Sequence, residues 1–215
     1  MSDKRRQRRP LSLQLRLVVL ASLLLAISLS LVGVALDAAF QRSSEAGLAA
    51  RMESLVYLVL AAIEVSEEGG FRVVDEPGDP RLGQPGSGFY ATALGENDRW
   101  NSSSSVTLSL PELPSVAAGE QNFQPPAADM GFFTYQYGVS WELTDGSMMP
   151  VMVNIYVSPD VLKPELQAFR SGMWRSLGSV GLILVLAQLI LLALGLKPLR
   201  KISEDIAEIE SGESE

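Results

Sequence analysis

The chain has 215 residues, 47% hydrophobic and 20% charged, with a formal net charge of −8 and neither cysteine nor histidine. The acidic balance excludes the usual basic nucleic-acid surface. The two missing residue types exclude disulfides, thiolate metal sites, cysteine nucleophiles and imidazole acid–base chemistry.

The charge is unevenly spread along the chain. Residues 1–16 carry Lys4, Arg5, Arg6, Arg8, Arg9 and Arg16 against Asp3 alone. Leu17–Leu36 then contains no charged residue. As a helix it would extend about 30 Å, the thickness of a bilayer's hydrocarbon core. A second uncharged run, Ser176–Leu196, has Gln188 as its one strongly polar side chain, and Lys197, Arg200 and Lys201 follow it. Between the runs, residues 37–173 hold seven Lys/Arg against eighteen Asp/Glu, a net −11. Basic flanks on the outer side of each run predict a two-pass membrane protein with both termini cytoplasmic and 37–173 translocated. The first run is too long for a signal-peptide core, and Val34-Ala35-Leu36 is a poor cleavage site.

Residues 37–66 read as a helix continuing out of the first run. Leu48, Met52, Leu55 and Val59 are spaced 4, 3 and 4, a heptad seam, with Val56, Leu60 and Ile63 as a neighbouring stripe. One stripe is expected to pack on the domain and the seam to meet a second subunit in a parallel homodimer; the alternative makes both stripes core. Phe71–Asp75 is a short strand, 76–88 a proline- and glycine-rich loop, and Phe89–Leu94 a second strand turning through 95–98 into Arg99-Trp100. Residues 101–131, rich in serine, proline and glycine, read as an irregular excursion lying over one sheet face. Phe133, Tyr135, Tyr137, Val139 and Trp141 alternate with more polar residues, as do Val151, Val153, Ile155 and Val157. With Asp145-Gly146 between them they predict an antiparallel hairpin. Ser158-Pro159 caps a helix leading into the second run. The expected class is an α+β membrane protein, with two transmembrane helices (17–36 and 176–196) flanking an antiparallel-sheet domain. In architecture that domain resembles the PAS-like extracytoplasmic sensors of bacterial receptors.

Past the second run, Pro198 is followed by Leu199, Ile202, Ile206 and Ile209, spaced 3, 4 and 3, and by Ser211-Gly212. Residues 197–215 resemble the start of a HAMP domain: a proline just inside the membrane, a basic-leucine opening and a heptad helix. The resemblance gives these five residues the role of signal relay. No second HAMP helix precedes Glu215, so the sequence is expected to be a fragment of a longer protein. The whole layout resembles the N-terminal half of a two-component sensor histidine kinase. Leu55–Ser66, the QPGSGFYA stretch at 84–91 and Arg99-Trp100-Asn101-Ser102 are most similar to the PhoQ-type sensor kinases. That resemblance implies a homodimer in the bacterial inner membrane, ATP used by a kinase region outside this sequence, and a cytoplasmic response regulator as partner. The fragment has no catalytic residues of its own. A methyl-accepting chemoreceptor, or another HAMP receptor such as a cyclase, would share residues 1–215.

Two candidate sites stand out in the middle segment. Glu67, Glu68, Asp75, Glu76 and Asp79 place five carboxylates within thirteen residues, oxygen ligands of the kind Mg²⁺ or Ca²⁺ prefers. The PhoQ-type resemblance adds a bridge by such cations to anionic membrane lipid. Tyr90, Trp100, Tyr135, Tyr137 and Trp141, together with Phe89, are expected to line a small-molecule pocket.

Overall fold

The computed structural model describes residues 13–211 except 67–69, 75–76, 128–130 and 145, and among these the side chains of residues 16–194. The chain divides into two units: Ala39–Ala168, and the segments flanking it on either side.

Helix α1 runs without interruption from Leu13 to Ala61. Its last turns supply one wall of the core of the Ala39–Ala168 unit. Leu48, Met52, Leu55 and Val59 are at most 2% exposed, and Val56 and Ile63 are buried beside them. The seam expected to meet a second subunit therefore packs against the chain's own sheet. Both stripes are core, because a heptad seam buries itself on any apolar face opposite it.

The helix expected through Ser66 stops earlier. Ile63–Val65 forms strand β1, paired antiparallel with β2 (Phe71–Val73), Ile63 opposite Val73. Two β-branched residues around one glutamate suit a strand better than one more helical turn. The loop at 76–88 contains a single helical turn, α2, at Pro80–Gly83.

The main sheet has five antiparallel strands: β3 (Phe89–Leu94), β4 (Arg99–Asn101), β5 (Gln121–Gln124), β6 (Phe133–Glu142) and β7 (Met148–Val157). Their order is β4-β3-β7-β6-β5, so the last strand lies at the centre beside the first. β6 and β7 are the expected hairpin, with Leu143 N–H donating to the Ser147 carbonyl across the turn and Gly146 at φ +82°. A positive φ of this size favours glycine. β5 is an additional strand inside the stretch expected to be irregular. Register and alternation give the sheet two unlike faces. Phe89, Ala91, Phe133, Tyr135, Val153, Ile155 and Val157 face α1 and form the core cluster with it. The opposite face carries Tyr90, Thr92, Thr134, Gln136, Asn154 and Tyr156, all buried.

Ser158 caps a short 3₁₀ turn at Pro159–Val161, its hydroxyl accepting from the Asp160 N–H at 3.3 Å. Helix α3 then extends from Lys163 to Ser211, with Pro198 inside it. In the flanking unit, α1 and α3 are long and apolar enough to cross a membrane, at mean hydropathies of 2.7 and 2.6 in their most apolar windows. Most of the large apolar side chains in 17–36 and 176–194 are exposed, Leu31 at 73% and Leu191 at 70% among them. The two segments touch through small residues: a Cβ on Gly33 would come within 2.9 Å of the Trp174 ring, and one on Gly181 within 3.1 Å of Leu29. The Arg170 guanidinium donates to both oxygens of Asp37, at 2.7 and 3.0 Å.

Candidate functional site under the strap

The polar face of the sheet is organised by register. Asn122 lies opposite Gln136, Gln136 opposite Asn154, Asn154 opposite Thr92, and Thr92 opposite Asn101. One row of five polar side chains thus crosses all five strands. Asn122 Nδ2 donates to Gln136 Oε1 at 3.3 Å, Gln136 Nε2 to Asn154 Oδ1 at 3.5 Å, and Asn154 Nδ2 to Thr92 Oγ1 at 3.2 Å. Thr92, Gln136 and Asn154 are at most 1% exposed. Buried amides need partners, and these largely supply one another.

Residues 106–120 cross this face as a strap. Its start is fixed by serines. The Ser102 hydroxyl accepts from the Ala91 N–H at 2.9 Å, extending the ladder past the end of β4, and the Ser105 hydroxyl donates to the Ser102 carbonyl at 2.7 Å. The strap then meets the sheet through its own carbonyls. The Tyr156 hydroxyl donates to Pro111 O at 2.9 Å, and Gln136 Nε2 donates to Pro114 O at 2.8 Å. Burial pushes the Tyr156 phenol above its ordinary pKa, while a hydrogen bond with Thr92 and the charge of Arg99 pull it back. Arg99 and Glu112 form an exposed ion pair at 3.6 Å. At the far end Gly119 N–H donates to Gly138 O at 2.8 Å. A Cβ on Gly138 would run into the carbonyl of Ala117, so the strap's exit requires glycine there.

Two features of this face are left unfilled. The Thr134 hydroxyl, beside Tyr156 in register and 1% exposed, has no hydrogen-bond partner among the described residues. A cavity of about 210 Å³ opens between strap residues Ser115, Val116 and Ala118 and sheet residues Leu94, Pro150 and Met152. At the opposite end Phe132 packs edge-on against both Tyr90 and Tyr156, with ring centroids 5.9 and 6.3 Å apart.

The structure does not bring the five expected pocket aromatics together. Tyr90 lies on the strap side, whereas Trp100, Tyr135, Tyr137 and Trp141 share the face that packs on α1. Tyr137 meets Tyr57 of α1 edge-on at 6.1 Å. Strand parity separates residues that chemistry alone would group. Of the acidic set, Glu67, Glu68, Asp75 and Glu76 lie outside the described residues. Asp79 is engaged locally: its carboxylate accepts from the Arg81 backbone N–H at 2.9 Å and pairs with the Arg81 guanidinium, which holds it below its usual pKa. It acts as the cap of α2. Among the described residues no three carboxylates gather as a metal site. The backbone of Pro198, Leu199, Ile202, Ile206 and Ile209 is helical; their side chains lie outside the described ones.

Thr92, Asn122, Gln136, Asn154 and Gly138 were not singled out in the sequence. Gln136 and Asn154 had one signal, the polar half of the alternation in the two hairpin runs; Asn122, in a stretch read as irregular, had none. Comparison with protein-family profiles, with curated proteins and with solved structures finds nothing that matches this chain.

Proposed function

We propose that the chain is the sensing and membrane-crossing part of a bacterial receptor, with Ala39–Ala168 as an extracytoplasmic PAS-like domain and 197–215 as the start of a HAMP relay. The receptor is read as a two-component sensor histidine kinase whose catalytic region lies outside this sequence. The observation that carries the proposal is the pair of exposed apolar helical segments, each with basic residues on its outer side, flanking one acidic sheet unit. In water that much exposed apolar surface would drive association; in lipid it is the expected exterior, and helices satisfy their own backbone there. An antiparallel sheet with its last strand central, a helix on one face and a strap on the other, supports the PAS-like reading. The strap side is the ligand face on this reading, because the other face is closed by α1.

Reporter fusions after residues 100 and 205 test the topology. An outside signal at 100 and an inside signal at 205 are expected. The same compartment for both would overturn the membrane reading.

A further inference from the structure

We propose that the strap-side face is a binding site for an extended peptide segment, and that residues 108–117 occupy it as a tethered stand-in. The inference rests on the sensor reading above and gives the ligand a chemistry.

The face holds the strap by main-chain atoms. Two neutral side-chain donors of the sheet reach the middle of the crossing, the Tyr156 hydroxyl and the Gln136 amide, and they take the carbonyls of Pro111 and Pro114, three residues apart. The side chains of Glu112, Pro114 and Ser115 are exposed, and those of Leu110, Pro111, Leu113 and Val116 are half-buried, so no strap side chain is fully enclosed by the face. Any extended peptide offers carbonyls at that spacing. The two donors are uncharged, so they suit a neutral main chain better than a carboxylate or phosphate, which would call for arginine or lysine. Arg99 at the rim is already paired with Glu112.

The stand-in also fits incompletely. It leaves the buried Thr134 hydroxyl without an acceptor among the described residues, and it leaves the cavity of about 210 Å³ beside Val116 open. A better occupant presents a further carbonyl to Thr134 and an apolar side chain larger than valine to Leu94, Pro150 and Met152. The strap holds its place through tethering, which gives a short linked segment an effective concentration on the order of millimolar.

The test uses the full chain in lipid nanodiscs and, as probe, a fluorescein-labelled peptide of residues 108–117, LSLPELPSVA, read by anisotropy. The wild-type chain should bind it weakly, since the tethered copy competes. Gly138→Ala wedges the strap at Ala117, and Pro111→Gly with Pro114→Gly loosens the strap without touching the sheet. Either change should tighten binding at least about tenfold by removing that competitor. Adding Tyr156→Phe and Gln136→Leu should abolish the gain. In the wild-type chain, millimolar peptide should speed hydrogen exchange within 108–117. The proposal is overturned if a loosened chain with native circular dichroism shows no gain, if the gain survives loss of both donors, or if exchange in the wild-type strap is unmoved. A chain that passes the fusion test and fails this one keeps its membrane reading and loses the peptide site.

Discussion

Met52→Ala separates the two fates open to the heptad seam of α1. Met52 is 0% exposed and sits among Leu48, Leu55 and Val59 in the core cluster. The substitution removes three side-chain heavy atoms beyond Cβ, about 2.4 kcal/mol of transfer free energy at ~0.8 kcal/mol per methylene-sized group. The cavity left behind, roughly 70 Å³ if the sheet does not collapse into it, adds about 1.7 kcal/mol. The expected loss is therefore about 4 kcal/mol, a large share of the 5–15 kcal/mol or so of an ordinary domain. Tyr57→Ala, on the exposed side of the same helix at 49%, should cost far less. Denaturant unfolding of the full chain in micelles, followed by the emission of Trp100 and Trp141, measures both. A seam that met a second copy would give another pattern: a loss under ~1 kcal/mol at high protein concentration and a midpoint that moves with dilution. That pattern would refute the assignment of the seam to the core.

Asn154→Leu, at the centre of the polar row, should destabilise by roughly 1–3 kcal/mol by leaving Gln136 and Thr92 short of partners; thermal unfolding measures it, and a neutral result would mean the row contributes no order. Gly138→Ala should raise hydrogen exchange at Gly119 and Glu120, whose turn it crowds, while exchange in β3 stays protected; uniform loosening would argue against a local role. Asp79 has a folded pKa below its unfolded one, so its stabilisation of α2 is complete above the ordinary carboxylate range and is lost as pH falls through the lowered folded value. Protection of the Leu82 amide relative to its intrinsic exchange rate should fall over that acidic window in the wild type, and Asp79→Ala, which removes the cap, should show the low protection at every pH.

Much of the fold was legible because side-chain alternation encodes it directly. The β6–β7 hairpin follows from two runs of period two around Asp145-Gly146, and the buried stripes of α1 follow from their spacing. A heptad seam does not say what covers it, since a sheet of the same chain and a helix of another chain present the same apolar surface. Ile63–Val65 was misread because three residues are too few for a change of period to register. The polar row was illegible for a different reason. Successive members, from Asn122 through Gln136, Asn154 and Thr92 to Asn101, lie 14, 18, 62 and 9 residues apart along the chain, and only the register of four pairings puts them in line. The strap contacts leave no side-chain pattern at all, because Pro111 and Pro114 act through carbonyls that every residue has.

The two faces of the sheet differ in what opening them would cost. Lifting α1 away would expose Met52, Val59, Ile155 and Val157 to water with nothing gained in return, at roughly 1.5–3 kcal/mol for each large side chain. Lifting the strap would hand Tyr156, Gln136 and the carbonyls of Pro111 and Pro114 back to water, which hydrogen-bonds them nearly as well, so each lost bond costs only about 0.5–1.5 kcal/mol net. The row beneath keeps its own hydrogen bonds through the change, because Asn122, Gln136, Asn154 and Thr92 pair within the sheet. An apolar floor would make the cover permanent, and an unsatisfied polar floor would make the sheet unstable without it. A floor that satisfies itself permits a cover held by a few exchangeable bonds, and an occupant with slightly better contacts than the strap can then take its place.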